Sequence, residues 1–320
     1  MIIQILLLCL GLALLVKGAD WLVEGASTYA KKKNVSNLAI GLTIVAFGTS
    51  APELIVNIIA SIQGHTDIVF GNVIGSNNFN LLVILGMSGL ITPLAVQSST
   101  VWKEIPISLL AAVILLFLLN DTITFGENNR LSRLDGFILL GLFGAFLWYV
   151  AKQLKNVDEQ ESPFLSTMSN TKIWLYILFG LAGLIVGGQF VVENAREIAG
   201  SLGVSDKIIG LTIVAAGTSL PELATSITAA LKKNNDIAVG NIIGSNIFNI
   251  FLILGVSAVI NPMGYNPIFN KDLYFLVGGT IFLFLFMFSG NKTKTLGRWE
   301  AGILLTAFIV YTGFLIAGEI

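Results

Sequence analysis

Cysteine, histidine and charge are all scarce in this sequence. The 320 residues include one cysteine, Cys9, and one histidine, His65, which excludes a disulfide framework, a cysteine-rich metal site and a polyhistidine zinc site. Charged residues make up 12% of the chain, and 18 basic residues are matched by 19 acidic ones, so there is no basic field to attract nucleic acid. Hydrophobic residues make up 55%, and the mean hydropathy of +0.84 indicates a membrane protein.

Apolar segments of about 20 residues, long enough to cross a bilayer, occur ten times along the chain. The first has no basic n-region and no small-residue cleavage pattern, so we expect a retained helix rather than a signal peptide. We therefore predict an all-α membrane protein in which residues 1–152 and 171–320 each supply five helices and residues 153–170 form a cytoplasmic linker. The expected spans are 2–19, 38–62, 68–92, 105–120, 134–151, 173–195, 208–231, 237–260, 273–289 and 300–318.

The distribution of lysine and arginine predicts the orientation of these spans. If the N-terminus is outside, the connections on the cytoplasmic side contain twelve basic residues and those on the outer side contain five. Cytoplasmic loops retain basic residues more often than exported loops do. We therefore expect a multi-pass protein of the cell (inner) membrane with both termini outside.

Two sequence blocks occur twice, 169 residues apart. Segment 41–53, GLTIVAFGTSAPE, returns as 210–222, GLTIVAAGTSLPE, with 11 of 13 residues identical. Segment 71–80, GNVIGSNNFN, returns as 240–249, GNIIGSNIFN, with 8 of 10 identical. Five spans separate equivalent points, and because this number is odd, the second copy crosses the membrane in the opposite direction. The duplication predicts two inverted five-helix repeats, which are typical of secondary transporters.

Each copy places a proline and a glutamate near the middle of a span. Pro52 cannot donate a backbone hydrogen bond, so carbonyls around 46–49 are expected to lose their helical partners and to need others within the bilayer. Ser50 and Glu53 have the spacing of a capping box, so a capped kink is the simpler interpretation. An ionised carboxylate at the bilayer centre costs about 3 kcal/mol, however, and Glu222 repeats it, which favours a functional role for both glutamates.

Amide and hydroxyl residues follow one face of the next span in each copy, at intervals of four residues. These segments also have GxxxG spacing, so close helix packing with interhelical amide hydrogen bonds is one explanation. Two such stripes beside two repeated carboxylates instead favour a midplane ion site around which helices 2, 3, 7 and 8 are broken. The stripes are Asn72, Ser76 and Asn80 in the first copy and Asn241, Ser245 and Asn249 in the second.

The expected ligands are all oxygen atoms. Carboxylate, hydroxyl, amide and carbonyl oxygens without imidazole or thiolate suit sodium, calcium or magnesium rather than zinc or copper. Calcium with two glutamates has no net charge, so a loaded site can be closed off from water without leaving an isolated buried charge. An empty site would hold two uncompensated negative charges, and this penalty favours exchange over leak.

The paired motifs GTSAPE/GTSLPE and GNVIGSNNFN/GNIIGSNIFN resemble the two α-repeats of the calcium/cation antiporter superfamily, most closely those of prokaryotic sodium/calcium exchangers. The resemblance implies a ten-helix antiporter, not an enzyme, that exchanges Na⁺ for Ca²⁺ by alternating access and needs no cofactor. It also implies a calcium site and sodium sites that overlap it. The implied calcium ligands are Glu53, Glu222 and the carbonyls of Thr49 and Thr218. Sodium would in addition use the hydroxyls of Ser50, Ser76, Ser219 and Ser245 and the carbonyls of Ala46 and Ala215, with Asn80 and Asn249 at the centre.

The resemblance also bears on the transported ions. Some relatives, including potassium-dependent exchangers, carry aspartate at the position of Asn249, and this chain has asparagine there, so we expect exchange that is independent of potassium. The family's usual three sodium ions per calcium would make turnover electrogenic. The expected partners are the lipid bilayer and the two ions, with no nucleic acid and no obligate protein partner.

Other functions stay open at the level of sequence. A proton/calcium antiporter would use the same glutamate pair as titrating groups. An intramembrane hydrolase would need a nucleophile or a metal-bound water with a base, and the repeated polar core contains neither histidine nor aspartate. A purely structural membrane protein would not need the two glutamates.

Overall fold

The regular structure of the chain is almost entirely helical. The structure is a computed structural model that describes residues 2–120, 129–153, 168–202, 215–289 and 294–317. Seven of the described helices are long and apolar enough to cross a membrane, and a bent pair, α2 with α3, gives an eighth candidate. The chain is thus a multi-pass membrane protein. Its helices are α1, Ile2–Lys33; α2, Asn37–Thr49; α3, Ala51–Ile62; α4, Thr66–Ile91; α5, Thr100–Leu119; α6, Arg133–Gln153; α7, Asn170–Ser201; α8, Leu220–Leu231; α9, Asn235–Ile260; α10, Asn270–Phe286; and α11, Arg298–Ala317.

Parts of two predicted segments lie outside the described residues. Residues 154–167 of the predicted linker are not described, nor are residues 208–214 at the start of the predicted seventh span. Within that span, the described part begins with the short helical segment Ala215–Gly217, which precedes α8. The predicted division of the chain into two repeats and a linker stays a prediction.

The first helix is longer than its predicted span of 2–19. It continues through Trp21, Leu22 and Val23 to Lys33, because this stretch offers apolar and helix-forming residues and lacks proline. It ends where Asn34 takes a positive φ of 51°, a backbone conformation that asparagine adopts more readily than most residues at a helix C-terminus.

The first compact unit comprises Met1–Pro52 and Leu147–Asn241. Within it, α1 and α7 pack backbone to backbone. A Cβ atom at Gly11 would lie 2.8 Å from the carbonyl oxygen of Gly187, and one at Gly18 would lie 2.8 Å from that of Gly180. Only glycine allows this approach. Because the earlier glycine of α1 meets the later glycine of α7, the two helices are antiparallel.

The second compact unit comprises Glu53–Phe146 and Ile242–Ile320. It contains two short antiparallel strand pairs that the all-α prediction did not include. Strand β1, Leu94–Ala95, pairs with β4, Thr295–Leu296, and places Leu94 opposite Leu296. Strand β2, Arg130–Leu131, pairs with β3, Met263–Gly264, and places Leu131 opposite Met263. Each pair joins a segment of one sequence copy to a segment of the other.

Helices α4 and α9 carry the polar stripes and are the most enclosed of the candidate spans. In the most apolar window of each, 72% of α4 and 83% of α9 is buried, against 22% for α1. The prediction that these two helices, the third and eighth spans, are broken is wrong. Neither contains proline, so no backbone donor is lost, and each continues through a π-helical stretch, Phe79–Ile84 in α4 and Phe248–Leu254 in α9.

Candidate cation-binding site

The helices that carry the two glutamates are interrupted in the same way. Ser50, at the end of α2, has φ −84° and ψ 7°, and Ser219, before α8, has φ −89° and ψ 7°. This bridge conformation is sparsely populated and stops an α-helix. The next residues restart the helix with a proline in its first turn, where the missing N–H is tolerated. The predicted break is therefore present in both copies.

The loss of carbonyl partners upstream of the break is more limited than predicted. The N–H of Ser50 donates to the carbonyl of Ala46 at 3.0 Å, so this carbonyl keeps its helical partner. The proline two residues further on removes the donor that would face the carbonyl of Gly48 instead. The interruption thus falls closer to the serine than the sequence suggested.

A capping box would require each serine side chain to bond the start of its restarted helix. The side chain of Ser219 makes no capping hydrogen bond to α8. The hydroxyl of Ser50 donates at 2.8 Å to the carboxylate Oε1 of Glu222, a residue of the other sequence copy. Both side chains are buried, with exposed fractions of 3% and 1%. A hydrogen bond to a buried carboxylate stabilises its ionised form, so the hydroxyl of Ser50 serves the glutamate of the other copy, and the capping-box interpretation is wrong for Ser219.

Glu222 lies in a polar cluster of the first unit. Asn241 of α9 connects the cluster: its amide nitrogen donates to the hydroxyl of Ser226 at 3.0 Å and to the backbone carbonyl of Glu222 at 3.4 Å. Its amide oxygen accepts a hydrogen bond from the hydroxyl of Thr49 at 3.0 Å. Residues from both sequence copies therefore meet at Glu222, with Ser50 at its carboxylate and Asn241 at its backbone carbonyl.

Glu53 lies in a matching cluster of the second unit and is 1% exposed. The amide nitrogen of Asn57 donates to the backbone carbonyl of Glu53 at 2.7 Å and to the amide oxygen of Asn72 at 3.4 Å. Asn57 and Asn72 occupy the positions in the first copy that Ser226 and Asn241 occupy in the second. The repeat therefore builds a similar polar support beneath each glutamate.

Four asparagines form a further cluster in the second unit, and the prediction named only two of them. The amide nitrogens of Asn80 and Asn249 donate to the amide oxygens of Asn246 and Asn77, at 3.1 and 2.9 Å. The amide nitrogens of Asn77 and Asn246 donate to each other's backbone carbonyl at 3.2 and 3.3 Å. Asn77 and Asn246 were not predicted, although both lie inside the repeated block and are identical in the two copies.

Most of the predicted site residues are buried. Thr218 and Asn72 are half-buried, and Ala215 begins a helical segment, but its side chain is not described. The hydroxyl of Ser76 and the amide oxygens of Asn80 and Asn249 are buried and have no hydrogen-bond partner among the described residues. The buried predicted residues are Ala46, Thr49, Ser50, Glu53, Ser76, Asn80, Ser219, Glu222, Asn241, Ser245 and Asn249.

The donor set determines which ions these clusters suit. Among the described residues, no three or more histidine, cysteine, aspartate or glutamate side chains come together as a metal-binding group. The clusters instead combine single carboxylates with hydroxyl, amide and carbonyl oxygens. Such neutral oxygens around few charges suit hard cations that are bound and released.

Similarity to known proteins extends over both sequence copies. The sequence profile of the family described as "Sodium/calcium exchanger protein" matches residues 3–152 and 172–317. The inner membrane protein YrbG of Escherichia coli is 36% identical over 326 residues, which cover 98% of this chain and 97% of YrbG. The sodium/calcium exchanger MaX1 of Methanosarcina acetivorans is 33% identical over 346 residues, which cover 97% of each chain. A solved structure of the sodium-calcium exchanger NCX_Mj matches with a TM-score of 0.83 and 34% identity over 97% of both chains.

Proposed function

Because the chain belongs to the sodium/calcium exchanger family, a family of cation antiporters and not of enzymes, we propose that it exchanges Na⁺ for Ca²⁺ across the membrane by alternating access. The observation that carries this proposal is the buried carboxylate of Glu222, which accepts a hydrogen bond from Ser50 of the other sequence copy. A buried carboxylate in a cluster that also contains hydroxyl, amide and carbonyl oxygens suits a site for a hard cation.

We assign the calcium ligands to Glu53, Glu222 and the backbone carbonyls of Thr49 and Thr218. Two arguments support the assignment. Both glutamates are 1% exposed, and an ionised side chain inside a membrane protein is costly unless a partner compensates it. Two carboxylates compensate one Ca²⁺ in full, so the loaded carrier can change conformation without moving an isolated charge through a medium of low polarity.

We assign sodium binding to an overlapping set of oxygens. The hydroxyl of Ser76 supports this assignment, because it is buried and has no hydrogen-bond partner among the described residues. Overlap of the two sets means that Na⁺ and Ca²⁺ compete, which couples the release of one ion to the binding of the other. The proposed sodium ligands are the hydroxyls of Ser50, Ser76, Ser219 and Ser245 and the carbonyls of Ala46 and Ala215, together with Glu53, Glu222, Thr49 and Thr218, and the central amides are those of Asn72, Asn80, Asn241 and Asn249.

We propose that the chain forms ten membrane spans in two inverted repeats, with both termini outside a bacterial or archaeal cell membrane. The antiparallel packing of α1 on α7 supports the inversion, since these helices begin the two sequence copies. The match to NCX_Mj over 97% of both chains at a TM-score of 0.83 supports the membrane-exchanger fold from which the resemblance implies ten spans. The name of the Escherichia coli relative, an inner membrane protein, supports the location.

We propose that exchange is electrogenic and independent of potassium. Asn249 offers an amide oxygen but no charge, so among the described residues the polar clusters at Glu53, Glu222 and the four asparagines contain two carboxylates and no third. If three Na⁺ move against one Ca²⁺, one net charge crosses per cycle, and a potential of 100 mV contributes about 2.3 kcal/mol to each turnover.

The direct experiment measures calcium-45 uptake into proteoliposomes that contain the purified protein. With sodium inside and none outside, we expect uptake that disappears when the sodium gradient is abolished and rises when the inside-negative potential that exchange builds up is relieved. Acid-loaded vesicles without sodium separate the alternative, proton/calcium exchange. Uptake that follows the pH gradient and ignores sodium would refute sodium coupling.

Two variants test the proposed calcium ligands. We expect Glu53→Gln and Glu222→Gln each to abolish exchange while the protein still inserts, because each removes one of two charges that compensate Ca²⁺. Glu197→Gln is the matched control, since Glu197 is exposed and bonded by Gln4 outside the polar clusters. Full exchange in either of the first two variants would contradict the ligand assignment.

A further inference from the structure

The four buried asparagines of the second unit hold one another in a defined orientation. We propose that Asn77 and Asn246 are positioning residues that turn the amide oxygens of Asn80 and Asn249 towards the transported cation. This inference rests on the proposed function, because Asn77 and Asn246 bond Asn249 and Asn80, which belong to the proposed ion site. It concerns two residues of the repeated segments that were not among the site residues predicted from the sequence.

Hydrogen bonds to the backbone orient the side-chain amides of Asn77 and Asn246. A backbone carbonyl only accepts hydrogen bonds, so the side-chain atom that Asn246 presents to the carbonyl of Asn77 has to be its NH₂ group, and that bond is 3.3 Å long. The opposite end of the same amide, its oxygen, then faces Asn80. By the mirrored bond of 3.2 Å, the NH₂ group of Asn77 is fixed on the carbonyl of Asn246.

The amides of Asn80 and Asn249 are oriented in the same way. The oxygen of Asn246 only accepts, so Asn80 turns its NH₂ group towards it, at 3.1 Å. The oxygen of Asn77 likewise receives the NH₂ group of Asn249 at 2.9 Å. The NH₂ ends of both outer amides are thereby bound to the cluster, and their oxygens point away from it.

These two outer oxygens are the ends that a cation would meet. Both are buried and have no hydrogen-bond partner among the residues that the structure describes. An unpaired buried acceptor is costly, and a bound cation removes the cost. A free asparagine, whose two ends have nearly the same shape, could instead turn its NH₂ group towards the ion and repel it. Asn77 and Asn246 prevent this rotation.

The π-helical stretches contribute to the arrangement. Asn80 lies in Phe79–Ile84, and Asn249 lies in Phe248–Leu254. Each outer amide therefore lies at the start of a π-helical stretch, and the inner amide of the same copy precedes it on the regular α-helical turn. A wide turn shifts the side-chain register relative to a regular α-helix. The inner and outer amides of one copy therefore need not bond each other, and each outer amide bonds the inner amide of the other copy.

A double-variant cycle on Asn77 and Asn249 tests the proposal. We expect Asn77→Leu to raise the half-saturating calcium concentration about tenfold, the effect of one lost orienting hydrogen bond. In the Asn249→Asp background the same change should raise it less than about twofold, because a carboxylate presents an oxygen whichever way it turns. A merely structural role would give equal fold-changes in both backgrounds, and that result would overturn the proposal.

Asn78→Ile is the matched control. Asn78 is the buried neighbour of Asn77, but its amide donates away from the cluster, to the backbone carbonyl of Asp272 at 2.9 Å. The second copy carries Ile247 at the equivalent position, so isoleucine suits this helix. We expect the control to keep the half-saturating calcium concentration of the unmodified protein, and a tenfold rise there would also overturn the proposal.

Two further measurements keep the test decisive. If Asn77→Leu does not fold, Asn77→Ala and the mirrored cycle of Asn246→Leu with Asn80→Asp carry the same expectations. Equilibrium calcium-45 binding in detergent gives the affinity even where a background variant does not turn over. Failure of the proposed function appears as a lack of sodium-driven uptake by the unmodified protein. Failure of this inference alone appears as normal uptake with no coupling within the cycle.

Discussion

The hydrogen bond from Ser50 to Glu222 makes a specific prediction about ion selectivity. Ser50→Ala removes a hydroxyl that is 2.8 Å from the buried carboxylate Oε1 and belongs to the proposed sodium ligands but not to the calcium ligands. A hydrogen bond to a charged group contributes about 1.5–3 kcal/mol. If sodium binding depends on this hydroxyl, the half-saturating sodium concentration should rise about tenfold to about a hundredfold.

Calcium should respond differently to the same substitution. The variant leaves a carboxylate with one donor fewer, so its negative charge is less well compensated when no ion is bound. A divalent cation then binds it at least as well as before. We therefore expect the half-saturating calcium concentration to stay the same or to fall, and the sodium-to-calcium selectivity to shift towards calcium.

The assay is calcium-45 uptake by proteoliposomes, with internal sodium titrated in one series and external calcium in another. Ser61→Ala is the matched control, because its hydroxyl also makes a buried hydrogen bond of 2.8 Å, but to the backbone carbonyl of Ser257 and outside the proposed ligands. We expect the control to leave both half-saturating concentrations unchanged. Equal increases for the two ions in Ser50→Ala, or no change for sodium, would refute the reasoning.

Two further predictions concern the stability of the first unit, measured by thermal unfolding in detergent. Gly18→Ala should destabilise it by about 1–3 kcal/mol, because the new Cβ would lie 2.8 Å from the backbone oxygen of Gly180. Gly188→Ala is the control and should be neutral, since its Cβ would meet nothing closer than 3.8 Å. Similar losses of stability in both variants would contradict the close packing of α1 against α7. Lys232→Met removes an ion pair of 2.5 Å with Asp20, and the two side chains are 35% and 34% exposed. The substitution should therefore lower the stability by no more than about 1 kcal/mol, and by less at high salt, which screens the pair. A larger loss that does not change with salt would contradict this expectation.

The sequence predicted those features that depend on local chemistry. Apolar length located the helices, and proline after serine located the interruptions near Ser50 and Ser219, which the structure places at those residues. The high cost of a buried charge marked Glu53 and Glu222, and both proved to be buried. Proline-free α4 and α9 were expected to break because they were polar, and polarity alone does not remove a backbone donor.

The sequence could not predict contacts that join the two copies. The hydroxyl of Ser50 matched a local capping box, and only the fold shows that it bonds a carboxylate 172 residues away. Asn77 and Asn246 were missed for a similar reason, since helical periodicity describes one face of one helix, while each of these amides bonds the other copy. Their identity in both repeated blocks was the available signal.

Helix α1 is synthesised long before α7, the helix against which its glycines lie. Until then its apolar surface can contact lipid chains, which are as apolar as the side chains of another helix, so no hydrophobic driving force favours association. Because the glycine contacts depend on close van der Waals approach and not on the exclusion of water, they can form only after the second copy has entered the bilayer. For this helix, insertion and folding are therefore separate events, and a chain cut after the first copy would cross the membrane without completing its first unit.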